Sequence, residues 1–379
     1  MTRPTAVGAH IYAGGFTEGM RHHLDVLGHL EVGNFGVETA KLNLKNLEIR
    51  IDPELKTQSF GKADIFYSNP PCVAWSRLGH REYESHPTVN DMWACVRLGK
   101  ETQCKIFIWE CVPQVWSQGQ ELVKQVAKEW NDLGYHVTVF LTDANLHGIN
   151  QRRHRYHFIA SKLKLNLYLP DESKWGEACG ELLKTLKPEI DPKNLHVRRY
   201  LQWMEPYAVP GYPLRKIWLL LHGVKQKPEG LRFCPPFCIQ RLDGEKPSCT
   251  LTGGPDFIHP YEWRVLSPGE MGILSGFPVS WKWLGHVVDR YKQVAKGVTP
   301  AMGDYLGEVC ARAVEQDQGV EGCGLEVIDY RPHSDAHWPK GPSYRYPKEL
   351  ENIAENNQVK PEFKTLTLEQ LVKKEHAPC

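Results

Sequence analysis

Cysteine 72 stands in a setting that could support covalent chemistry. It belongs to the stretch "YSNPPCVAWS", residues 67–76, directly after the apolar run "ADIF" and two prolines. The prolines would hold the turn rigid, and a thiolate there could attack an electrophilic carbon. A lone cysteine can equally be a small buried hydrophobic residue. Whether Cys72 is a nucleophile or a buried thiol depends on which other reactive side chains the sequence places near it.

An acid and two arginines follow further along the chain. Glu110 leaves the apolar run "IFIWE", where partial desolvation would let its carboxyl hold or give a proton near neutral pH. Arg153 and Arg155 occupy alternate positions in "GINQRRHRYHFIA", so both would face one side of a strand. Guanidinium groups on one face suit a phosphate or a carbonyl oxygen. Alternatively, the two arginines could simply face solvent on an edge strand.

A glycine turn near the N-terminus is the candidate ligand cradle. "IYAGGFTEGM" places Gly14 and Gly15 between a predicted strand and a predicted helix. Glycines there let a ligand approach the backbone, as in dinucleotide and S-adenosylmethionine sites, although glycine turns are also common without a ligand. In such sites an acid at the end of the next strand binds the ribose, and "GNFGVETAKLN" offers Glu38.

Alternating strands and helices position these residues. We predict strands at "AVGAHIYAG", "ADIFYSN", "KIFIWECV", "YHVTVFLTD" and "RYHFIAS", and helices at "FTEGMRHHLDVLGHL", "QGQELVKQVAKEWNDLG" and from near Asp91. This order predicts a doubly wound α/β fold with a mostly parallel sheet. Residues 1–163, completed by 286–320, would form the catalytic domain. Residues 164–285 would form a smaller irregular domain, and 321–379 a C-terminal tail without an assigned role.

Composition leaves the class of partner open. The chain has 379 residues, with 46 basic and 45 acidic side chains and a formal net charge of +1, so bulk charge neither requires nor excludes nucleic acid. The N-terminus has no apolar signal core, and no run of 18 apolar residues suggests a membrane span. Eleven scattered cysteines favour reduced thiols in a cytoplasm. "CPPFC" with Cys249 fits no zinc spacing, so no metal site is expected.

The order of the motifs resembles the cytosine-C5 DNA methyltransferase family: glycine turn, Pro-Pro-Cys, strand-end Glu, Gln-x-Arg-x-Arg. "KPSCTLTGGPDFIHP" is similar to the end of that family's target-recognition region. "RVLSPGEMGILSGFP" and "YKQVAKGVTPAMGDYLG" are similar to its ninth and tenth motifs. The resemblance covers about residues 8 to 310 and does not reach the tail. It implies a Rossmann-like S-adenosylmethionine-dependent domain, with target recognition in residues 164–285.

The resemblance also implies roles for individual residues. Cys72 would attack cytosine C6, Glu110 would contact N3 and the exocyclic amine, and Arg155 with Arg153 would hold O2 and nearby backbone. The base would have to leave the stack to reach them. The implied cofactor contacts are Tyr12, Gly14, Gly15, Phe16, Glu38, Asp64, Pro70 and Lys296. The implied DNA contacts are Ser76, Arg77, Gln151, Thr250, Thr252, Gly253 and Gly254.

The sequence departs from the family pattern at three places. "AGGF" is one residue shorter than the usual glycine motif, and Cys111 replaces the asparagine of Glu-Asn-Val. Lys296 replaces the asparagine of Gln-x-Gly-Asn-x-Val. An ammonium about 4 Å from a sulfonium would repel it by roughly 4 kcal/mol at an effective dielectric of 20. We therefore expect carboxy-S-adenosylmethionine as cofactor and 5-carboxymethylcytosine as product, with ordinary methyl transfer from S-adenosylmethionine as the alternative.

The expected partner is double-stranded DNA, bound by a monomer in the cytoplasm of a bacterial or phage-infected cell. No membrane association is expected. Two alternatives come from other classes: an RNA cytosine methyltransferase, and a catalytically silent DNA-binding relative. The intact Cys72, Glu110 and Arg155 argue against the silent relative.

Overall fold

The computed structural model describes residues 2–33, 35–56, 60–76, 82–221 and 238–331. These residues divide into two compact units. The first contains residues up to 182 together with 246–254 and 268–331, and the second contains 183–245 and 255–267. The first unit thus extends past the boundary expected at residue 163, and the segment 246–254 returns to it from inside the expected target-recognition domain.

A mixed sheet forms the centre of the first unit. In the described part of the chain its strands are β1 (Thr5–Ala9), β2 (Asp25–Glu31), β3 (Glu48–Ile51), β4 (Ile65–Ser68), β5 (Ile106–Cys111), β6 (His136–Asp143), β7 (His154–Ser161) and β10 (Leu325–Asp329). Their order is β10-β6-β7-β5-β4-β1-β2-β3, and all neighbours are parallel except those of β7. The predicted α/β fold with a mostly parallel sheet is confirmed.

Helices cover both faces of this sheet. The described helices are α1 (Gly15–Met20), α2 (Val37–Asn43), α3 (Val89–Thr102), α4 (Gln114–Gln118), α5 (Gln120–Asn131), α6 (Cys179–Thr185), α7 (Leu214–Leu221), α8 (Pro268–Leu274), α9 (Val287–Lys296) and α10 (Pro300–Gln316). Phe107 and Trp109 of β5 pack in one core with α3 and α5. Ile106 and Ile108 pack in the other with α1 and α10. Period-two alternation therefore sends one apolar strand into both cores.

The predicted helix over "FTEGMRHHLDVLGHL" is only partly correct. α1 ends at Met20, and the second half of the segment forms β2. β2 pairs with both β1 and β3, and Gly28 to Glu31 at its carboxyl end are buried. Pairing in the sheet overrides the helical spacing of the apolar residues.

The second unit is less regular. It holds α7 and two short paired strands, β8 (Gln240–Arg241) and β9 (Phe257–Ile258). Its own apolar core includes Leu201, Leu214 and Ile258. Within the described ranges, no helix is long and apolar enough to cross a membrane.

The first residues of the expected tail also belong to the fold. β10 pairs in parallel with β6, from Leu325 opposite Val137 to Asp329 opposite Leu141. It therefore extends the main sheet by one strand. Residues 332–379 lie outside the described residues.

Candidate active site

The predicted chemistry-bearing residues meet at the carboxyl edge of the sheet. Cys72 follows the end of β4, and Glu110 lies at the end of the neighbouring β5. β7 runs antiparallel to β5, with Glu110 opposite His157 and Cys111 opposite Tyr156. The start of β7 therefore lies beside the end of β5, which brings Arg155 to Glu110.

Glu110 is buried and is held by partners from two strands. Its Oε1 forms an ion pair with Arg155 Nε at 2.9 Å. Its Oε2 accepts a hydrogen bond from Asn69 Nδ2. Burial raises the pKa of Glu110, while the positive charges of Arg155 and Arg153 act against that shift. The carboxyl therefore sits in an environment from which it can hold or give a proton.

Cys72 lies in a tight turn, where its carbonyl accepts hydrogen bonds from Trp75 N at 3.0 Å and Ser76 N at 2.9 Å. Burial raises the pKa of its thiol, and the positive charge of Arg155 lowers it. Glu110 raises that pKa further, whereas Arg153 and Lys296 lower it. Residues from four distant parts of the chain thus form one electrostatic site around the sulfur.

The two arginines of the predicted pair have different partners. Arg155 binds Glu110, as described above. Arg153 is buried, and its Nη2 donates to Ala295 O at 2.6 Å and Gly297 O at 3.0 Å. The prediction that Arg153 holds a substrate oxygen needs correction, because this nitrogen is already bonded to carbonyls at the C-terminal end of α9.

The glycine turn at the end of β1 is tightly packed. Tyr12 and Gly14 adopt left-handed backbone conformations, with φ of 57° and 92°. A Cβ on Gly15 would lie 2.3 Å from Val298 O, so the missing side chain leaves room for the backbone at Val298 and not for a ligand. Phe16 is buried edge-on to Tyr67, with ring centroids 5.0 Å apart. Gly15 and Phe16 therefore support the turn, and Tyr12 and Gly14 shape it.

The acid at the end of the second strand is Glu31, which the sequence analysis missed. Glu31 is buried, and its Oε1 accepts a hydrogen bond from Ile11 N at 2.5 Å. Burial raises the pKa of Tyr12 well above its ordinary range, and the charges of Cys72 and Glu31 add to that shift. Glu31 was missed because the segment that forms β2 was predicted to be helical. The sequence feature that could have identified it is an acid at the carboxyl end of a strand.

Two predicted cofactor contacts lie elsewhere. Glu38 is in the first turn of α2, largely exposed, with an ion pair to Lys41 at 2.8 Å. Asp64 precedes β4, so it lies at the amino edge of the sheet, opposite the edge that carries Cys72. Its Oδ2 accepts hydrogen bonds from Thr5 N and Thr5 Oγ1 at 3.0 and 3.1 Å. Both predictions are corrected by these positions. Pro70 lies in the turn before Cys72, where it was expected.

Lys296 is exposed at the end of α9. Its Nζ lies 5.0 Å from the centroid of the Phe35 ring, and the ring centroids of Phe35 and Tyr12 are 6.3 Å apart. Water can therefore solvate the Lys296 side chain, so its ammonium is not buried in the turn. Gln293 anchors α9 nearby by donating from its amide to Phe35 O at 2.8 Å and Leu284 O at 2.9 Å.

The predicted DNA contacts fall into two groups. Gln151 is buried, donates to Ser275 Oγ at 2.7 Å and accepts from Leu251 N at 3.3 Å, so it supports the fold and does not face a ligand. Thr250 is exposed, and its Oγ1 donates to Arg152 O at 2.8 Å. The segment 250–254, with Thr252, Gly253 and Gly254, thus starts beside Arg152, one residue before Arg153. Arg77 lies outside the described residues.

Comparisons with known proteins identify the family of the chain. The family model for C-5 cytosine-specific DNA methylases matches residues 11–312. The type II methyltransferase M.MthTI of Methanothermobacter thermautotrophicus is 30% identical over 298 residues, 73% of this chain and 84% of its own length. M1.HphI of Haemophilus parahaemolyticus is 26% identical over 260 residues, 65% of this chain and 68% of its own length.

The fold is also similar to that of solved structures. A prophage-encoded E. coli protein, described as a DNA modification methyltransferase, superposes with a TM-score of 0.61 at 18% identity. The superposition covers 82% of this chain and 99% of that one. Because the family model spans most of the sequence and includes Cys72, Glu110 and Arg155, this chain belongs to the C-5 cytosine-specific DNA methylase family.

Proposed function

We propose that the protein transfers a methyl group from S-adenosylmethionine to C5 of cytosine in double-stranded DNA. The observation that carries this proposal is the convergence of Cys72, Glu110 and Arg155 at one edge of the sheet, with Glu110 Oε1 2.9 Å from Arg155 Nε. Bacterial and archaeal type II methyltransferases are similar along much of the chain. A relative that had lost catalysis would have no reason to keep a thiol, a buried acid and a guanidinium together.

The chemistry requires a nucleophile and an acid acting together. Cytosine C5 is a poor nucleophile until a thiolate adds to C6. In the proposed reaction the Cys72 sulfur bonds to C6 while Glu110 gives a proton to N3, so the ring electrons reach C5. C5 then takes the methyl group, and the former sulfonium sulfur leaves as a neutral thioether. Water takes the C5 proton as the bond between C6 and the Cys72 sulfur breaks, and N3 returns its proton to Glu110, which restores the ring. The base must leave the stack for this contact.

The residues around the glycine turn fit S-adenosylmethionine, which supplies the methyl group on a positively charged sulfur. Glu31 ends β2 at the position where an acid binds a ribose in such folds. The half-buried Phe35 offers an aromatic face beside Tyr12. Lys296, which also lies near the Phe35 ring, is exposed and is not enclosed in the glycine turn.

The test is nucleoside analysis of DNA after incubation with the purified protein and S-adenosylmethionine. We expect 5-methylcytosine from the wild type and none from Cys72→Ala, because the proposed addition to C6 needs the Cys72 sulfur. Cys111→Ala is the matched control, since Cys111 is a buried thiol on the neighbouring strand and should be dispensable for transfer. DNA containing 5-fluorocytosine should trap a covalent adduct with the wild type.

Two results would contradict the proposal. The absence of any adduct in the wild type would identify a catalytically silent DNA-binding relative. Transfer to folded RNA without transfer to DNA would identify an RNA cytosine methyltransferase.

Transfer of a carboxymethyl group is the second candidate. One observation favours it: the charge of Lys296 is among those that lower the pKa of Cys72, so a cation lies within electrostatic range of the Cys72 sulfur. Competition between S-adenosylmethionine and carboxy-S-adenosylmethionine tests it, with Lys296→Asn as the variant and Lys292→Asn as the control one turn away. If only 5-methylcytosine forms and Lys296→Asn changes nothing, this candidate is excluded.

Target recognition is proposed for the second unit together with the segment 250–254. The glycines at 253 and 254 would let the backbone of that segment enter a groove of DNA. The enzyme would act as a monomer in the cytoplasm of a bacterial or phage-infected cell, as its similarity to bacterial type II methyltransferases suggests. Substituting Thr250 and Thr252 should then change which DNA sequence is methylated, with a smaller effect on the rate of methyl transfer.

A further inference from the structure

Asn69 is a buried residue that the assigned roles do not use. It directly follows β4, whose last residue, Ser68, is paired with Trp109 of β5. The next position along both strands brings Asn69 beside Glu110. Asn69 is 4% exposed, its Nδ2 donates to Glu110 Oε2, and its backbone N donates to Ala9 O at 3.2 Å. The residue thus joins the acid to the turn that carries Cys72.

The two partners of Glu110 differ in what they can do. The Arg155 guanidinium has only donors, so it serves the ionised carboxylate. The Asn69 amide has both a donor and an acceptor. Its Oδ1 is buried and has no hydrogen-bond partner among the described residues. Rotating the amide by half a turn would present that oxygen to a protonated Glu110.

We propose that Asn69 is a positioning residue that holds the Glu110 carboxyl toward the base in both of its protonation states. This inference rests on the proposed function, in which Glu110 passes a proton to cytosine N3 and later regains it. When Glu110 is ionised, Asn69 Nδ2 donates to Oε2. When Glu110 is protonated, its O–H donates to Asn69 Oδ1 until the proton moves to N3. The amide restrains the carboxyl at each stage and exchanges no proton itself.

The local sequence explains why this position matters here. Cys111, directly after Glu110, has a thiol and offers no amide to anchor the acid to the Cys72 turn. Asn69 supplies such an anchor from the neighbouring strand, two residues before the Pro71-Cys72 step. The amide of Asn69 therefore provides the hydrogen bond to Glu110 that the residue at position 111 cannot provide.

Two substitutions separate this role from a purely structural one. Asn69→Ala removes both the donor and the acceptor, so kcat should fall at least tenfold, with little change in KM for DNA and little shift of the pH profile. Asn69→Asp keeps the shape but places a second carboxyl beside Glu110. It should move the limb of the kcat/KM profile that Glu110 sets to higher pH, because like charges favour protonated Glu110.

The control is Ser68→Ala, one residue earlier on the same strand. Ser68 is also buried, but its hydroxyl donates to Ile108 O at 3.2 Å and not to the Glu110 carboxyl. This variant should lose some stability and keep the wild-type pH profile. Circular dichroism melting would identify any variant that fails to fold.

Two outcomes would overturn the inference: Asn69→Ala within twofold of the wild-type kcat, or an active Asn69→Asp with an unshifted pH profile. Failure of the proposed function would be separate, because the wild type itself would then form no adduct with 5-fluorocytosine DNA.

Discussion

Burial has opposite consequences for the two groups that the proposed addition needs, a protonated acid and a thiolate. It raises the pKa of Glu110 from its ordinary 4.5, which favours the protonated acid. It also raises the pKa of Cys72 from its ordinary 9.0, which disfavours the thiolate. The neighbouring arginines matter because they enlarge the thiolate share.

The first prediction concerns pH. The wild-type kcat/KM should be bell-shaped, with one limb set by the pKa of Glu110 and the other by the pKa of Cys72. Glu110→Gln should lower kcat by about 10²- to 10⁴-fold. Its residual activity should rise with pH without a falling limb, because only the thiolate then titrates. A bell of unchanged shape in Glu110→Gln would exclude these assignments.

At this scale, the sequence identifies the reacting groups but not their supports. Cys72, Glu110 and Arg155 were predictable because each adjoins a strand that reads clearly as apolar. Asn69 was not, because its role depends on the register between β4 and β5. Arg153 was misassigned for a related reason: the alternation of side chains shows which face it occupies, but not the carbonyls of α9 that meet it there.

At the scale of elements, Arg153 links the start of β7 to the C-terminal end of α9 through two backbone carbonyls. Arg153→Met should lower the free energy of unfolding by about 2–4 kcal/mol, since it leaves buried carbonyl groups unpaired. Urea unfolding measures this loss. Arg312→Met, at a side chain that is 60% exposed, should change stability by no more than about 0.5 kcal/mol. Equal losses in both variants would contradict the role given to Arg153.

The crossing of α1 and α10 depends on glycine. A Cβ on Gly19 would lie 2.0 Å from Pro300 O and 2.2 Å from Asp304 N, so the helices would have to separate. Gly19→Ala should destabilise the protein by about 3 kcal/mol, measured by thermal unfolding. Gly319→Ala is the control, because the nearest atom to its added Cβ is 4.0 Å away. A Gly19→Ala protein as stable as the control would show that the helices can move apart at little cost.

Elements that are buried on both faces were the predictable ones. β5 is an apolar run up to Glu110, and β6 is buried from Val137 to Asp143 with a run of Val, Phe and Leu at its centre. β2 begins with exposed residues and was read as helix, and β10 is a half-exposed edge strand with little apolar signal. Their strand character comes from the partners beside them, which a single sequence does not display.

At the scale of the whole molecule, buried histidines make stability depend on pH. Burial lowers the pKa of His10 and His147 to about 4, and that of His29 and His157 to about 3, from an ordinary 6.5. The unfolded chain therefore binds more protons than the folded chain below pH 6.5. Stability is complete above that value and is lost as pH falls toward 4.

The expected loss is steep. Each of these histidines contributes about 1.4 kcal/mol per pH unit within the window, so together they give about 5 kcal/mol per unit. His10→Asn should reduce the slope by one proton, because it removes a titrating ring while asparagine tolerates the left-handed backbone found there, φ 55°. Urea midpoints measured from pH 7 to pH 5 for the wild type and for His10→Asn test this prediction.

The contact between α1 and α10 also has a consequence for how the chain is made. These helices lie near opposite ends of the described sequence, yet they share the core that covers one face of the sheet. During synthesis, the ribosome must release α10 before that face can close, so the growing chain carries an uncovered apolar surface for most of its translation. Contacts this distant in sequence slow folding. We therefore expect refolding in vitro to be slow and prone to aggregation. We also expect a protein chain whose synthesis stops before residue 300 to be held by chaperones or degraded by proteases.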